Sequence, residues 1–313
     1  MRHYTSDKNV DLKRLVPIFF DGSEALCKGS DDDFLICLLK SGTTEVRINE
    51  TKYVITAPTL ICLNDEQTIE PLKTHEISAK SIYFDPTFIN RNMTKQTIRS
   101  ARYAEIADVH DYFLLEPFMK SDSNYGYFIN LSPDLLQRTD LLFDECSAEL
   151  GTQSDWYWPC RVRSYFIELL HVLERLYFNK NRTATPHKFD YQIPLGFEDI
   201  GDILMFININ YQNKLSLDEI SHQFSTSRSN INRRFKRVTG LTVFDYITEY
   251  RLFIASSMLR FTELSVEEIS ARVGFTYSNN FISCFKSRYG MPPNKFRSYT
   301  VDLRKTGQAP AIH

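Results

Sequence analysis

At 313 residues, with 42% hydrophobic and 24% charged side chains, the chain is long enough for two domains with real cores and has the composition of a soluble globular protein. Its net charge of −2 gives no chain-wide basic excess. No apolar run approaches the ~20 residues of a membrane span, and the opening MRHYTSDKNVDLKRL lacks a signal peptide's apolar stretch, so a cytoplasmic protein without membrane attachment is expected.

The N-terminal part reads as strands. Phe34 to Leu39, Glu45 to Asn49, Lys52 to Thr56, Thr59 to Leu63 and Ile77 to Phe84 are short and rich in Ile, Val, Leu, Thr and Tyr, with turn signals such as Ser41-Gly42 and Asn49-Glu50 between them. That spacing predicts a small antiparallel β-barrel or jelly roll. A metal-dependent barrel needs several ligands converging from adjacent strands, but His75 with Glu76 stands alone here, and His3 and His110 are distant in sequence. No metal and no cofactor is expected. There is no G-x-S-x-G elbow and no phosphate-binding glycine loop, so the barrel is read as binding, not catalysing. Arg47, Tyr53, His75 and Tyr83 are its candidate effector-binding residues, while the aromatic-rich stretch Tyr103 to Phe128 either lines a pocket or fills the core.

From Ser132 the period becomes helical, with Pro133 at the first helical position and Leu135, Leu136, Leu142, Phe143, Cys146 and Leu150 recurring at helical intervals. A second helix is predicted from about Pro159 to Asn179. Its apolar residues Val162, Phe166, Leu169, Leu170, Leu173, Leu176 and Tyr177 form a stripe wider than one neighbouring barrel would cover. Asn179 to Gly196, polar and with two prolines, then reads as a linker. The six cysteines, Cys27, Cys37, Cys62, Cys146, Cys160 and Cys284, have neither C-x-x-C nor paired spacing, and are read as small core residues, not a zinc site or a disulfide framework.

The last third carries one small helical unit twice. LSLDEIS at Leu215 to Ser221 returns as LSVEEIS at Leu264 to Ser270, and each copy leads to Phe-Lys and then glycine: Phe235, Lys236, Gly240 and Phe285, Lys286, Gly290. Ser216 with Glu219, and Ser265 with Glu268, have capping-box spacing. Ser225-Thr226-Ser227 and Gly274-Phe275-Thr276 break the period and supply new N-caps, and Gly240 and Gly290 stand where left-handed C-caps are wanted. The result is helix, tight turn, helix, twice over. A single connecting helix from Val243 to about Phe261 joins the units; its roughly eighteen residues span about 27 Å, close to the ~34 Å between successive major-groove faces on one side of B-DNA.

In the second helix of each unit the positions not needed for a core are short and polar or basic. Arg228, Ser229, Asn232, Arg233 and Arg237 occupy them in the first unit; Ser278, Asn279, Asn280, Ser283 and Arg288 in the second. Arg pairs with guanine, Asn with adenine and Ser with several partners, while Lys236 and Lys286 at the margins suit phosphate. Charge partition agrees: from Gln212 to Thr300 there are thirteen Lys/Arg against seven Asp/Glu.

These residues resemble the DNA-binding domain of the AraC/XylS family of bacterial transcription regulators. Arg251 to Leu259 (RLFIASSML) looks like that family's linker helix, and Glu267 to Arg297 is similar to its C-terminal signature, through Gly290, Pro293 and the closing Phe296-Arg297. The resemblance covers about the last hundred residues. It implies base reading by Ser229, Asn232 and Arg233, and by Ser278, Asn279, Asn280, Ile282 and Ser283. Two departures bear on this: Ser283 stands where the family often has arginine, and Ser229 where a larger side chain occurs.

The expected fold class is therefore a two-domain α+β protein: a cupin-like sensor over residues 1–130, a helical segment at 131–180 that such proteins use for homodimerisation, a linker at 181–196 and the double helix-turn-helix domain at 197–300. The implied function is a non-enzymatic, sequence-specific regulator of transcription, responding to a small-molecule effector and acting on double-stranded promoter DNA, with RNA polymerase as partner if it activates. The alternatives are control of the same regulator by a protein partner or redox change, and a cupin-type metalloenzyme with a DNA-binding tail. An alkyl-transfer DNA repair protein would need a Cys-rich metal site and an activated thiol, which the scattered cysteines do not provide.

Overall fold

The computed structural model describes residues 4–9, 14–26, 32–100, 106–119, 127–180, 189 and 191–306. They form two compact units, Met1–Gln192 and Ile193–His313. In the first, a short hairpin of β1 (Thr5–Ser6) and β2 (Leu15–Val16) precedes β3 (Ile18–Glu24), β4 (Phe34–Ile48), β5 (Thr51–Thr56), β6 (Thr59–Leu63) and β7 (Ile69–Phe84). Helices α1 (Lys95–Ser100) and α2 (Ile106–Met119), strand β8 (Phe128–Asn130), and the long helices α3 (Pro133–Thr152) and α4 (Trp158–Lys180) complete it, and the chain leaves through β9 (Tyr191–Ile193).

The larger sheet has seven strands in the order β3-β7-β4-β5-β9, with β6 pairing β4 and β8 off that path. Its pairings along β4 are antiparallel: β7 runs along one edge, while the other edge meets β6 over Leu35 to Leu39 and β5 over Thr43 to Ile48. Among the described residues this sheet is open at β3, so the expectation of a closed barrel is corrected to an antiparallel sheet with free ends.

Two predicted strands prove to be one. Phe34 to Leu39 and all of Glu45 to Asn49 but its last residue lie in β4, and Ser41-Gly42, read as a turn, is instead a bulge where the β4–β7 register shifts. Gly42 has φ +83°, and a Cβ there would stand 2.3 Å from the His75 carbonyl oxygen, so only glycine lets the two strands approach.

The first half of β4 is buried on both faces, which explains why it reads as a continuous apolar run. Leu35, Cys37 and Leu39 enter one apolar cluster with Val46, Ile55 and Tyr83. Phe34, Ile36 and Leu38 enter the other, under the helices. There α4 lays down Val162, Phe166, Leu169, Leu170 and Leu173, all 0% exposed, with the Phe166 ring 4.7 Å from that of Phe84. Each such side chain contributes roughly 1.5–3 kcal/mol of burial. The stripe assigned to a partner copy is thus covered by its own unit, because the sheet, α2 and α3 together offer more apolar surface than a barrel wall alone. The Tyr103 to Phe128 stretch is in part α2, whose Leu114, Leu115 and Phe118 fill that same core; residues 103–105 and 120–126 lie outside the described ones, as do Cys27, His3 and most of the expected linker, 181–188 and 190.

Polar clasps fix α3 and the N-terminal segment. Ser132 caps α3 ahead of Pro133, as expected. Lys80 reaches Asp140 at 2.6 Å and Asp144 at 2.5 Å, and Lys40 reaches Asp140 at 2.8 Å. Gln153, in the left-handed conformation at the end of α3, accepts from the Lys8 amide at 2.7 Å and donates to the Ser6 carbonyl at 3.0 Å.

Partial burial works to raise the Asp140 pKa, but hydrogen bonds and charge from Lys40 and Lys80 outweigh it, and the net position lies below the ordinary carboxylate value. A depressed folded pKa gives stability that is present above the unfolded pKa, near 3.9, and lost as pH falls through the folded one. Asp140→Asn should lower stability near neutral pH by about 1 kcal/mol, a figure discounted for solvent screening. The variant's melting temperature should also fall less steeply between about pH 5 and pH 3 than the parent's; parallel curves by circular dichroism would show that the clasp does not contribute.

Candidate nucleic-acid interface

The second unit is helical: α5 (Glu198–Asn210), α6 (Leu217–Gln223), α7 (Arg228–Thr239), α8 (Val243–Phe261), α9 (Val266–Arg272), α10 (Ser278–Tyr289) and α11 (Pro293–Thr306). Both capping boxes form. Glu219 accepts from the Ser216 amide at 2.9 Å while Ser216 Oγ accepts from the Glu219 amide at 3.2 Å, and Ser265 with Glu268 repeats the exchange at 2.8 and 3.1 Å. Backbone and side-chain donation by Ser265 holds the Glu268 carboxyl below its ordinary pKa. Gly240 and Gly290 close α7 and α10 at φ +75° and +73°. Their left-handed conformations fit the predicted C-caps.

The two candidate recognition helices are anchored alike. Ile231 and Phe235 of α7 are 1% and 0% exposed, and Phe281 and Phe285 of α10 are both 0% exposed. On α7 this turns Arg228, Ser229, Arg233, Lys236 and Arg237 outward; on α10 it exposes Asn279, Asn280, Ser283, Lys286 and Arg288. Helical geometry therefore gathers most of the predicted residues on one outer face per helix.

Several of them are already engaged. Arg228 pairs with Asp218, Arg233 donates to Asn230 Oδ1 at 3.0 Å, Arg288 donates to Glu249 at 2.8 Å, and the Arg237 guanidinium lies 5.2 Å from the Phe197 ring centroid. Apart from Asn230, these partners leave the arginines at the rim of the helix face, where exposed pairs exchange cheaply for phosphate. Asn232 is half-buried, and its Oδ1 accepts from the Val243 amide at 3.2 Å, tying α7 to the start of α8. Ser278 and Ile282 are also half-buried, Ile282 against the aromatic core of the second unit.

The second unit departs from the first at its N-cap. Ser227 caps α7, but the residue preceding α10 is Tyr277, not Thr276, and it makes no side-chain cap. Tyr277 is 68% exposed, an aromatic at the outer end of the second recognition helix that residue-type reasoning passed over.

Further residues position the interface without facing outward. Arg234 donates to the Gly196 carbonyl at 2.7 Å, pairs with Asp199 and stacks 4.6 Å from the Phe197 ring centroid, docking α7 on the start of α5. Arg251 of α8 donates to the carbonyls of Tyr211 and Asn213, both at 2.8 Å, and lies 5.9 Å from the Phe275 ring centroid. Beside it, Gly274 has φ +90°, and a Cβ there would stand 2.7 Å from the Gln212 carbonyl oxygen and 2.9 Å from that of Tyr211. The turn of the second unit is built for glycine.

The four effector candidates do not converge. Tyr53 and Tyr83 belong to the apolar cluster on the sheet face opposite the helices, and burial followed by the neighbouring Tyr127 raises the Tyr53 pKa to about 12. Arg47 is paired with Glu70, and His75 lies in β7 opposite Thr43 at the bulge. Among the described residues no group of three or more His, Cys, Asp and Glu side chains is placed to hold a metal, and no helix is long and apolar enough to cross a membrane.

Comparison with known proteins gives a helix-turn-helix domain family match over residues 220–299. The chain is 33% identical over 176 residues to the HTH-type transcriptional activator RhaS of Escherichia coli (strain SE11), covering 56% of this chain and 59% of that one. It is 27% identical over 129 residues to the lactose operon transcription activator of Staphylococcus xylosus, covering 40% and 43% respectively. These alignments span about half of each relative's length. A solved transcriptional regulator with an AraC-type DNA-binding domain, from Chromobacterium violaceum, is 25% identical with a TM-score of 0.31, over 33% of this chain and 92% of that one.

Gly274→Ala should destabilise the second unit by about 2 kcal/mol or more, through both φ strain and the carbonyl contacts. Asn232→Ala should lower its melting temperature as well as any DNA affinity, whereas Ser229→Ala should leave melting unchanged. Equal melting of all three with the parent in calorimetry would refute the assigned packing.

Proposed function

On the premise that the C-terminal domain belongs to the AraC/XylS family of helix-turn-helix regulators, we propose that the chain as a whole is a sequence-specific transcription regulator. In this reading α7 and α10 enter successive major-groove faces of one promoter duplex, spaced by α8. The observation that carries it is the pair of capped, glycine-terminated helices, each with an aromatic-anchored inner face and an outer face of Ser, Asn, Arg and Lys. At 19 residues, α8 is long enough, at about 28 Å, to hold two such helices near one helical turn of DNA apart. Base contacts are assigned to Ser229, Arg233, Asn279, Asn280 and Ser283, with Asn232, Ser278 and Ile282 contributing from the edge. Phosphate contacts fall to Arg228, Lys236, Arg237 and Lys286.

The first unit is proposed as a cupin-like effector sensor. Activation, with RNA polymerase as partner, is supported by the names of the relatives. Homodimerisation through residues 131–180 stays part of the reading, carried not by the α4 stripe but by exposed apolar side chains in that segment: Leu141, Trp156 and Tyr157, at 58%, 70% and 71% exposed. An effector then acts by binding one arrangement of the dimer better than another.

Selection from a random duplex pool with the full-length chain should yield a bipartite site with two reads about one helical turn apart. Arg233→Ala should weaken binding to that site by roughly tenfold or more at fixed salt, with its melting curve unchanged. Unaltered affinity in a gel-shift titration would remove Arg233 from base reading, and a single uninterrupted read would overturn the paired-unit model.

A further inference from the structure

The first unit holds a cavity of about 740 Å³ lined in part by the β2 strand, the turn at Pro86–Phe88 with the residues after it, and the start of α4. None of the four effector candidates lines it. Its size is that of a small-molecule site. Three arginines face it, Arg14, Arg91 and Arg163, against one carboxylate, Asp111.

Asp111 accepts from Asn90 Nδ2 at 2.9 Å, a neutral donor that leaves its charge in place, so the lining holds three cations against one anion. Among the described residues, no carboxylate pairs with any of the three arginines. Arg163 is held in place by the Ile89 carbonyl, which accepts from its Nε at 3.0 Å and from its Nη2. A guanidinium has five N–H donors, so this bond orients Arg163 and leaves donors over. Apolar surface adjoins the charge. Leu15 is 58% exposed at the cavity and Phe88 is 8% exposed.

We infer that this cleft binds a small organic oxyanion, a carboxylate or phosphate ester whose charged group is gripped by Arg14, Arg91 and Arg163 while its apolar body lies against Leu15. Arginine suits both anions because its fork meets two oxygens at once. Excess positive charge alone would serve a free inorganic ion, but the exposed leucine favours a ligand with an apolar arm. The site deepens the sensing role proposed above and rests on it for its regulatory meaning. Ligand binding is measured without DNA, so failure of the one is distinguishable from failure of the other.

The test is isothermal titration of the full-length chain at low salt with phenylacetate and phenyl phosphate as probes, and with benzyl alcohol and inorganic phosphate as controls. Saturable binding of at least one probe is expected, with both controls weaker by about tenfold or more. Which of the two binds more tightly distinguishes a carboxylate from a phosphate ester as the natural head group. Arg91→Ala, at an exposed position outside the packing, should weaken the bound probe by about tenfold, with Arg91→Lys recovering part of the loss. Arg14→Ala should act in the same direction. Absence of binding by both probes, inorganic phosphate binding as tightly as the probes, or unchanged affinity in Arg91→Ala and Arg14→Ala would each overturn the assignment.

Discussion

The geometry of the second, helical unit depends on one arginine. Arg251 projects from α8 and gives hydrogen bonds to the carbonyls of Tyr211 and Asn213, just past the end of α5, while its cation sits over Phe275 in the turn of the second unit. Carbonyls at a helix C-terminus lack intrahelical donors and carry partial negative charge, so a cation there satisfies bonds and dipole together. Burial lowers the Arg251 pKa, yet a guanidinium stays charged. The neighbouring Gly274 has room for no side chain, so the second turn packs directly on the Gln212 and Tyr211 carbonyls of the same segment. One residue thereby joins three segments: the first helix of the domain, the connecting helix and the second helix-turn-helix.

Local signals make this unit legible in the sequence itself. Capping boxes, C-terminal glycines and a helix-long stretch without glycine or proline each encode a boundary within a few residues, and the repeat doubles the first two signals. What escaped were the long-range partners. Nothing in the sequence names the partners of Arg251 and Arg234; only the fold shows that both are committed, to backbone carbonyls or to Asp199. Helix α5 carries no clear start signal: Phe197 stands at its N-cap without a side-chain bond.

The first unit is less legible in its sequence, for a physical reason. Strands take their identity from neighbours, so a bulge and a turn look alike until the partner strand is known. Gly42 marks a bulge in β4 because β7 passes within contact distance, which no window of sequence contains. The same holds for the α4 stripe, whose width suggested a second copy. A sheet face extended by α2 and α3 absorbs it, since α2 hides in an aromatic stretch with Pro117 inside it.

The six residues Phe34 to Leu39 form a wall with a room on either side and no exterior. Such a wall has no neutral positions: odd-numbered side chains answer to one cluster, even-numbered ones to the other, and a change of volume at either parity displaces backbone that both share. Sequence drift in this unit is accordingly expected to spare this hexapeptide and to collect at Lys40 and Ser41, the partly exposed break before burial resumes at Thr43 to Val46. Mutational tolerance should therefore open only briefly along this strand, just before the bulge at Gly42, and close again after it.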